Sequence, residues 1–417
     1  MKRFLNIVLL ALMPFTLCAQ FVYSNADVVR SPRMELNGQW NAVPVMVLGS
    51  DDVMQFSFDE MSHAYHRFLY RITHCNSDWT SSGLHDIDFL EGFNDVPVEE
   101  WENSINTTNL YTHYTFSLPN EDVSLLLSGN YKVEVIDDEA DSESPVAEFR
   151  FSVVEPRVSI SASVSGDTDL SFNEGEQQLS FVVGCPGYSI ASPLSDIIPV
   201  VYQNRRFDNA VIGMKPTYIT GNSLEYVHNK ELIFKAGNEY RRFELTDPSS
   251  PSLNVEEVSV YGDEYHALLY MDRPRVTHSN YIDENGSYFV RTLEGYGSNI
   301  EADYAYVHFA LDAPYDSGGD YYLFGDFAGN AISPLTRLDY DVDEGYYHTT
   351  MLLKFGLYNY MYMWVPKGGG ALSSSVAEGD FYNTENEYLI YIYHREFGAR
   401  HDKLIGVHAI NYRLEDN

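Results

Sequence analysis

Cysteine is nearly missing from this chain, with three in 417 residues. One of them, Cys18, falls inside the opening hydrophobic stretch. The other two, Cys75 and Cys185, fall in different expected domains, so a disulfide-built scaffold is excluded and a single bridge between them is left open. Positive charge is scarce too. Lysine and arginine number 26 against 61 aspartates and glutamates, a formal charge of −35. So acidic a surface repels phosphate backbones and argues against nucleic-acid binding. It also disfavours anionic lipid and suits a basic partner face or divalent cations. After the opening stretch no run approaches the ~18 apolar residues that a spanning helix needs. Helical periodicity is almost absent.

The opening stretch reads as an address label. Lys2 and Arg3 precede an apolar run from Phe4 to Leu17, and Ala19 supplies a small residue at the cut. This pattern predicts an export signal over residues 1–19 and a mature chain from Gln20. Lipidation at Cys18 would want a small residue before it, and Leu17 stands there instead, which favours ordinary cleavage. Losing Lys2 and Arg3 removes two positive charges and takes the formal charge from −35 to −37. Taking 19 residues from 417 leaves 398. That exceeds the ~250–300 residues at which single cores stop growing, so several domains are expected.

Strand signals recur at short intervals. Thr112 to Leu118, Gly129 to Ile136 and Ala147 to Val154 alternate apolar and polar residues with a period of two, and the last two read as a hairpin closed by an acidic loop. Val43–Leu48, Met54–Phe58 and Arg67–His74 complete a first sandwich over residues 20–155. A short helical turn is expected within Pro97–Ile105. Glu155-Pro156-Arg157 marks a break, since proline ends the preceding strand. A second series of strands fills residues 156–298 and ends near Asp283-Glu-Asn-Gly286, an expected Asn-Gly hairpin. A third fills residues 299–417. The fold class is thus all-β, with three consecutive immunoglobulin-like or early-set β-sandwich domains. A single outer-membrane barrel is the rival architecture; the long polar connections on all sides oppose it.

Catalytic signatures do not emerge. No Gly-x-Ser-x-Gly elbow is present. With 61 acidic residues, paired carboxylates are unavoidable and carry no weight alone. His63, His66, His74 and Cys75 lack the helical spacing of a zinc site. Asp339, Asp341 and Asp343 resemble the start of a calcium loop, but the glycine, Gly345, comes one residue late and position twelve is Thr350. Calcium there is left open. Tyr321 to Asn330, Gly345-Tyr-Tyr and Gly356 to Trp364 resemble early-set sandwiches related to glycogen-binding modules. The tryptophan expected after the Gly325-Asp-Phe turn is missing, which puts the sugar platform in doubt. No catalytic residue, cofactor or metal site is assigned, and no small-molecule substrate is expected.

One longer pattern remains. Thr73-His-Cys-Asn-Ser-Asp-Trp79 continues to Glu91-Gly-Phe-Asn94. Asn106 to Tyr114, Pro119-Asn-Glu-Asp122, Glu301 to Phe309, Glu378 to Tyr393 and His401-Asp-Lys-Leu-Ile-Gly406 follow. Together they resemble the plug family of the type IX secretion translocon over nearly the whole mature chain. The resemblance implies a non-enzymatic periplasmic protein, peripheral to the outer membrane, that seals the inner mouth of a large outer-membrane β-barrel translocon subunit when no substrate occupies it. A plug needs aromatic anchors with a polar rim, and Trp79, Phe89, Phe93 and Tyr111 are the candidates for partner contact. A carbohydrate-binding envelope protein, using the C-terminal early-set-like domain, is the alternative.

Overall fold

The structure is a computed structural model that describes residues 21–25, 28–140, 144–249, 252–293 and 299–412. The expected export signal and Cys18 lie outside the described residues. Strands dominate, and each of the three α-helices is a single four-residue turn. None of the sheets closes on itself, which removes the barrel alternative for the described residues. Among them, no helix is long and apolar enough to cross a membrane.

The first sandwich pairs a six-stranded sheet with a four-stranded one. The six-stranded sheet contains Val22–Ser24, Ala147–Val154, Gly129–Asp137, Phe68–Cys75 and Val96–Pro97, with Val45–Val47 running parallel to Ala147–Val154. The facing sheet holds Val29–Leu36, Met54–Glu60, Thr112–Leu118 and Glu100–Asn103. Inward-pointing aromatics fill the space between them. Phe56 stacks on Phe116 at 4.9 Å, Phe116 on Tyr70 at 4.6 Å, and Phe58 on Tyr114 at 5.2 Å. The expected helical turn within Pro97–Ile105 is instead an edge strand, Glu100–Asn103, paired with Thr112–Leu118.

Sheet membership in the rest of the chain departs from the linear order of residues 156–298 and 299–417. Ser159–Ser165, Glu176–Gly184, Ser223–Tyr226 and Tyr218–Thr220 form one sheet of the middle sandwich, with Ile233–Lys235 beside Glu176–Gly184. Its facing sheet consists of Val211–Ile212, Ile197–Gln203, Glu387–His394 and Lys403–Asn411, so the last two strands among the described residues return to complete it. The third sandwich is inserted between these parts. One of its layers is Arg241–Leu245, Gly356–Pro366, Tyr288–Val290 and Gly319–Phe324; the other is Val255–Tyr261, Glu264–Leu269, Tyr304–Leu311, Tyr346–Lys354 and Asp339–Asp341. The insertion leaves and re-enters at one place: Asn386 Nδ2 donates to Ala236 O at 2.9 Å, and Thr384 Oγ1 to Gly237 O at 2.9 Å.

Burial explains why sequence order misleads. In Glu387-Tyr-Leu-Ile-Tyr-Ile-Tyr-His394, Tyr388, Ile390 and Ile392 enter the middle core. Leu389, Tyr391 and Tyr393 pack from the other face onto Val154 and the Val43–Val45 region of the first sandwich. A strand covered on both faces reads as a continuous apolar run. Gly356 is needed where the 11-residue strand Gly356–Pro366 passes Tyr288–Val290, because a Cβ there would lie 2.2 Å from Phe289 O. Asn285 and Gly286 do take the left-handed φ of an Asn-Gly turn. The arm before them is not a strand, however; the Asp283 carboxylate accepts from Tyr240 N, so this is a loop rather than the expected hairpin.

This topology predicts opposite outcomes for two deletions. Removing residues 387–417 should unfold the middle sandwich, seen as rapid proteolysis within residues 156–235. Replacing residues 239–382 with a short flexible linker should leave that sandwich protected.

Candidate docking surface and the seams behind it

The first and inserted sandwiches meet around a buried ion pair. Asp59, near the end of Met54–Glu60, accepts from Lys354 Nζ at 2.6 Å, and each residue is 1% exposed. Tyr304 OH donates to the same carboxylate at 2.5 Å, and His113 Nδ1 lies 2.5 Å from its other oxygen. Burial pushes Asp59 up, but the Lys354 charge and the His113 hydrogen bond outweigh it and hold the carboxyl at about 2. Burial pulls Lys354 down, against the attraction of Asp59, to about 8, so it remains a cation at neutral pH. Burial also lowers His113. A neutral imidazole that donates Nδ1–H to Asp59 fits this network. Lys354 Nζ stands 4.1 Å from the centre of the Tyr111 ring, whose hydroxyl donates to Ala302 O at 2.8 Å. Asp303 then accepts the backbone N–H groups of Thr108 at 2.5 Å and Asn109 at 3.0 Å.

The Thr73–Trp79 pattern builds the seam with the middle sandwich. The chain turns after Cys75, with Trp79 N bonded to Asn76 O at 2.9 Å and Trp79 in the left-handed region at φ 66°. That turn presents Ser77, whose N–H and hydroxyl both donate to Asp402, at 2.9 and 2.8 Å. It also places Trp79 Nε1 3.2 Å from Tyr202 OH, with its ring beside Phe21 and Phe207 and under Arg150. Tyr393 OH donates to Asn130 Oδ1 at 2.7 Å. His74 packs against His401, and burial lowers it to about 4, so it is neutral. A Cβ on Gly129 would meet the His74 ring at 2.5 Å, which fixes how closely these strands pass.

Of the four candidate contact residues, three therefore face inward. Phe89 is 2% exposed and packs on His74 and Tyr131; Tyr111 is 0% exposed at the ion-pair seam; Trp79 is partly buried between sandwiches. In this arrangement Phe89 and Tyr111 are unavailable to a partner. Phe93 alone is presented to solvent, at 74%. The structure adds two neighbours that sequence reading missed. Leu90–Gly92 and Val123–Leu125 form a two-stranded ribbon; Phe93 N bonds Asp122 O at 3.2 Å, and Leu126 N bonds Phe89 O at 2.9 Å. The ribbon and the adjacent helical turn carry exposed Ile87, Phe93 and Leu126, flanked by exposed Asp86, Glu91, Glu121 and Asp122. A second exposed pair, Tyr65 before the strand Phe68–Cys75 and Trp101 on the edge strand Glu100–Asn103, has its rings 5.4 Å apart. Trp101 was hidden in sequence by the expected helical turn.

The other chemical candidates resolve into structural contacts. Asp341 Oδ1 accepts from the N–H groups of Asp343 and Glu344, both at 2.9 Å, closing the hairpin loop. Among the described residues no group of three or more His, Cys, Asp or Glu is arranged to hold a metal ion. Cys75 and Cys185 are buried free thiols, and burial pushes Cys75 up to about 12. The Gly325–Asn330 turn, compared above with sugar-stacking turns, folds inward: Phe327 lies on Phe309 and against Tyr358.

Residues 29–155 match the family model described as the type 9 secretion system plug protein first domain. A crystal structure of a hypothetical protein from Parabacteroides merdae ATCC 43184 is 36% identical, with a TM-score of 0.92, over 94% of this chain and 99% of that one. No curated protein sequence matches the chain.

Two predictions follow from the ion pair. Lys354→Met strands a buried carboxylate and should cost about 3–5 kcal/mol in urea unfolding. Adding Asp59→Asn should recover part of that, since the amide still accepts from Tyr304. Asp59 is held below its ordinary 3.8, so its contribution is complete above that value and lost as pH falls toward about 2. The acid loss of stability over this window should be reduced in Asp59→Asn.

Proposed function

We infer, for a chain that belongs to the type IX secretion system plug family, that it docks on the periplasmic mouth of a large outer-membrane β-barrel and closes it when no substrate is inside. The observation that carries this reading is the exposure of Ile87, Phe93 and Leu126 along one ribbon and its adjoining helical turn, with exposed carboxylates among their chain neighbours, on the same first sandwich that matches the family. Apolar anchors ringed by polar groups give a contact that is specific and still releasable. A rim of carboxylates accelerates approach to a basic partner face. The remaining aromatics of the family-like stretch tie the sandwiches to one another, and a stopper must resist deformation more than it must present contacts. The role is non-enzymatic, and its site of action is the periplasmic side of the outer membrane.

Mild-detergent capture of the tagged protein from its host envelope, read by mass spectrometry, tests this. We expect one very large barrel to be recovered without bound substrate, with recovery reduced at least tenfold for Phe93→Ala combined with Ile87→Glu. Their exposure means that thermal stability should stay unchanged. Recovery of the barrel by the double variant at full yield would move docking to another face; no barrel with the unaltered protein would reject the role itself.

A further inference from the structure

The outgoing chain, residues 236–240, and the returning one, residues 381–386, cross side by side between the middle and inserted sandwiches. A loop of the inserted sandwich, residues 277–283, lies against both. Asn238 Nδ2 donates to Thr277 O at 3.2 Å, Asn238 Oδ1 accepts from Ser279 N at 3.0 Å, and Asn383 Nδ2 donates to His278 Nδ1 at 2.9 Å. Glu239 stands where these three segments meet and is 3% exposed. Its Oε1 accepts from Glu385 N at 2.9 Å and lies 3.0 Å from His278 Nε2. Since His278 Nδ1 accepts from the Asn383 amide, the imidazole proton sits on Nε2 and points at Glu239. One carboxyl oxygen thus ties the returning chain and the loop to the outgoing chain.

The other oxygen, Glu239 Oε2, is buried without a hydrogen-bond partner. The cations around it are engaged elsewhere. Arg275 gives Nη1 to the Glu239 main-chain oxygen at 2.5 Å and Nη2 to Tyr281 OH at 3.0 Å, and its Nε faces Glu378 at 3.4 Å. Glu378 and Asp272 together balance Arg275 and Arg241. Arg242 donates to Ile282 O at 3.1 Å and lies over the Tyr281 ring. His278 supplies no charge while its Nδ1 accepts from Asn383, and burial lowers its pKa. The remaining charges that act on Glu239 are acidic, Asp283 and Glu385. Asp283 already accepts from Tyr240 N and from Asn285 N at 2.9 Å. An ionised carboxylate in such a place is strongly disfavoured, whereas a neutral carboxyl carries its proton on the free oxygen.

We propose that Glu239 is a proton-operated latch on the joint between the middle and inserted sandwiches. Protonated, it holds the two crossing segments and the loop together; deprotonated, it places an unbalanced charge among them and lets them part. Burial, with Asp283 beside it, lifts Glu239 from its ordinary 4.5 to about 8, and burial lifts Asp283 to about 7. A group held up in this way stabilises the closed joint fully below its ordinary value, and that contribution is lost as pH rises toward about 8. The joint therefore loosens with rising pH, opposite in sense to the Asp59 seam, which weakens in acid.

Hydrogen exchange of the full mature chain at pH 6, 7 and 8, each rate divided by the intrinsic rate at that pH, tests this. Protection of the Tyr240 and Glu385 amides is expected to fall at least tenfold from pH 6 to pH 8, while that within Thr112–Leu118 of the first sandwich holds. In Glu239→Gln, which keeps the acceptor but does not ionise, the fall should be at least threefold smaller, with Asp283 supplying the remainder. Constant protection at the joint in the unaltered chain, an equal fall within Thr112–Leu118, or an undiminished fall in Glu239→Gln would each overturn the proposal. The unaltered chain is decisive by itself should the variant fail to fold. Exchange is read on the free protein, so its outcome is independent of barrel capture.

Discussion

The architecture depends on a buried charge pair that must be assembled from two distant parts of the chain. Asp59 and Lys354 stand 295 residues apart and meet with almost no water around them. Removing both charges from water is expensive, and their attraction offsets it only when the geometry is good and the remaining valences are filled. Tyr304, His113 and the Tyr111 ring fill them. The pair therefore acts more as a register mark than as glue. Any sliding of the inserted sandwich against the first would separate opposite charges in a medium that punishes separation.

The same logic orders the other seam, by neutral means. Ser77 on Asp402, Tyr393 on Asn130 and Trp79 on Tyr202 are directional contacts embedded in aromatic packing. Apolar contact alone would permit many docked poses of similar energy; hydrogen bonds among buried groups select one. A body fixed in this way holds its exposed side chains at constant positions. The abundance of tyrosine, 33 residues, has its reason here: each ring supplies apolar area and its hydroxyl a direction.

The strands were legible because alternation and turn residues are local signals, and Thr112–Leu118, Gly129–Asp137 and Ala147–Val154 are placed nearly as the pattern reads. Their partners were not. Nothing local in Glu387–His394 says that it lies beside Ile197–Gln203; only its doubly apolar face hints that it is covered twice. The candidate contacts divide for a similar reason. Phe89 and Phe93 look alike in sequence, and the ribbon geometry decides that one is core and the other surface. Lys354 closes the strand Tyr346–Lys354, and a lysine at a strand end usually marks the edge of solvent, so its burial was hidden.

The late return of the final strands has a consequence for how the molecule comes into being. Synthesis proceeds from the amino end, so the first sandwich has all its strands once Val154 has been made. The middle one has no such moment of its own. Ile197–Gln203 must wait, apolar on both faces, until Glu387–His394 arrives; Arg205 and Glu387, which pair at that edge, are 182 residues apart. During that interval the nascent chain exposes the open edge of an apolar strand, a surface of the kind that holdase chaperones cover. An interrupted chain would then hold one finished sandwich and an open edge.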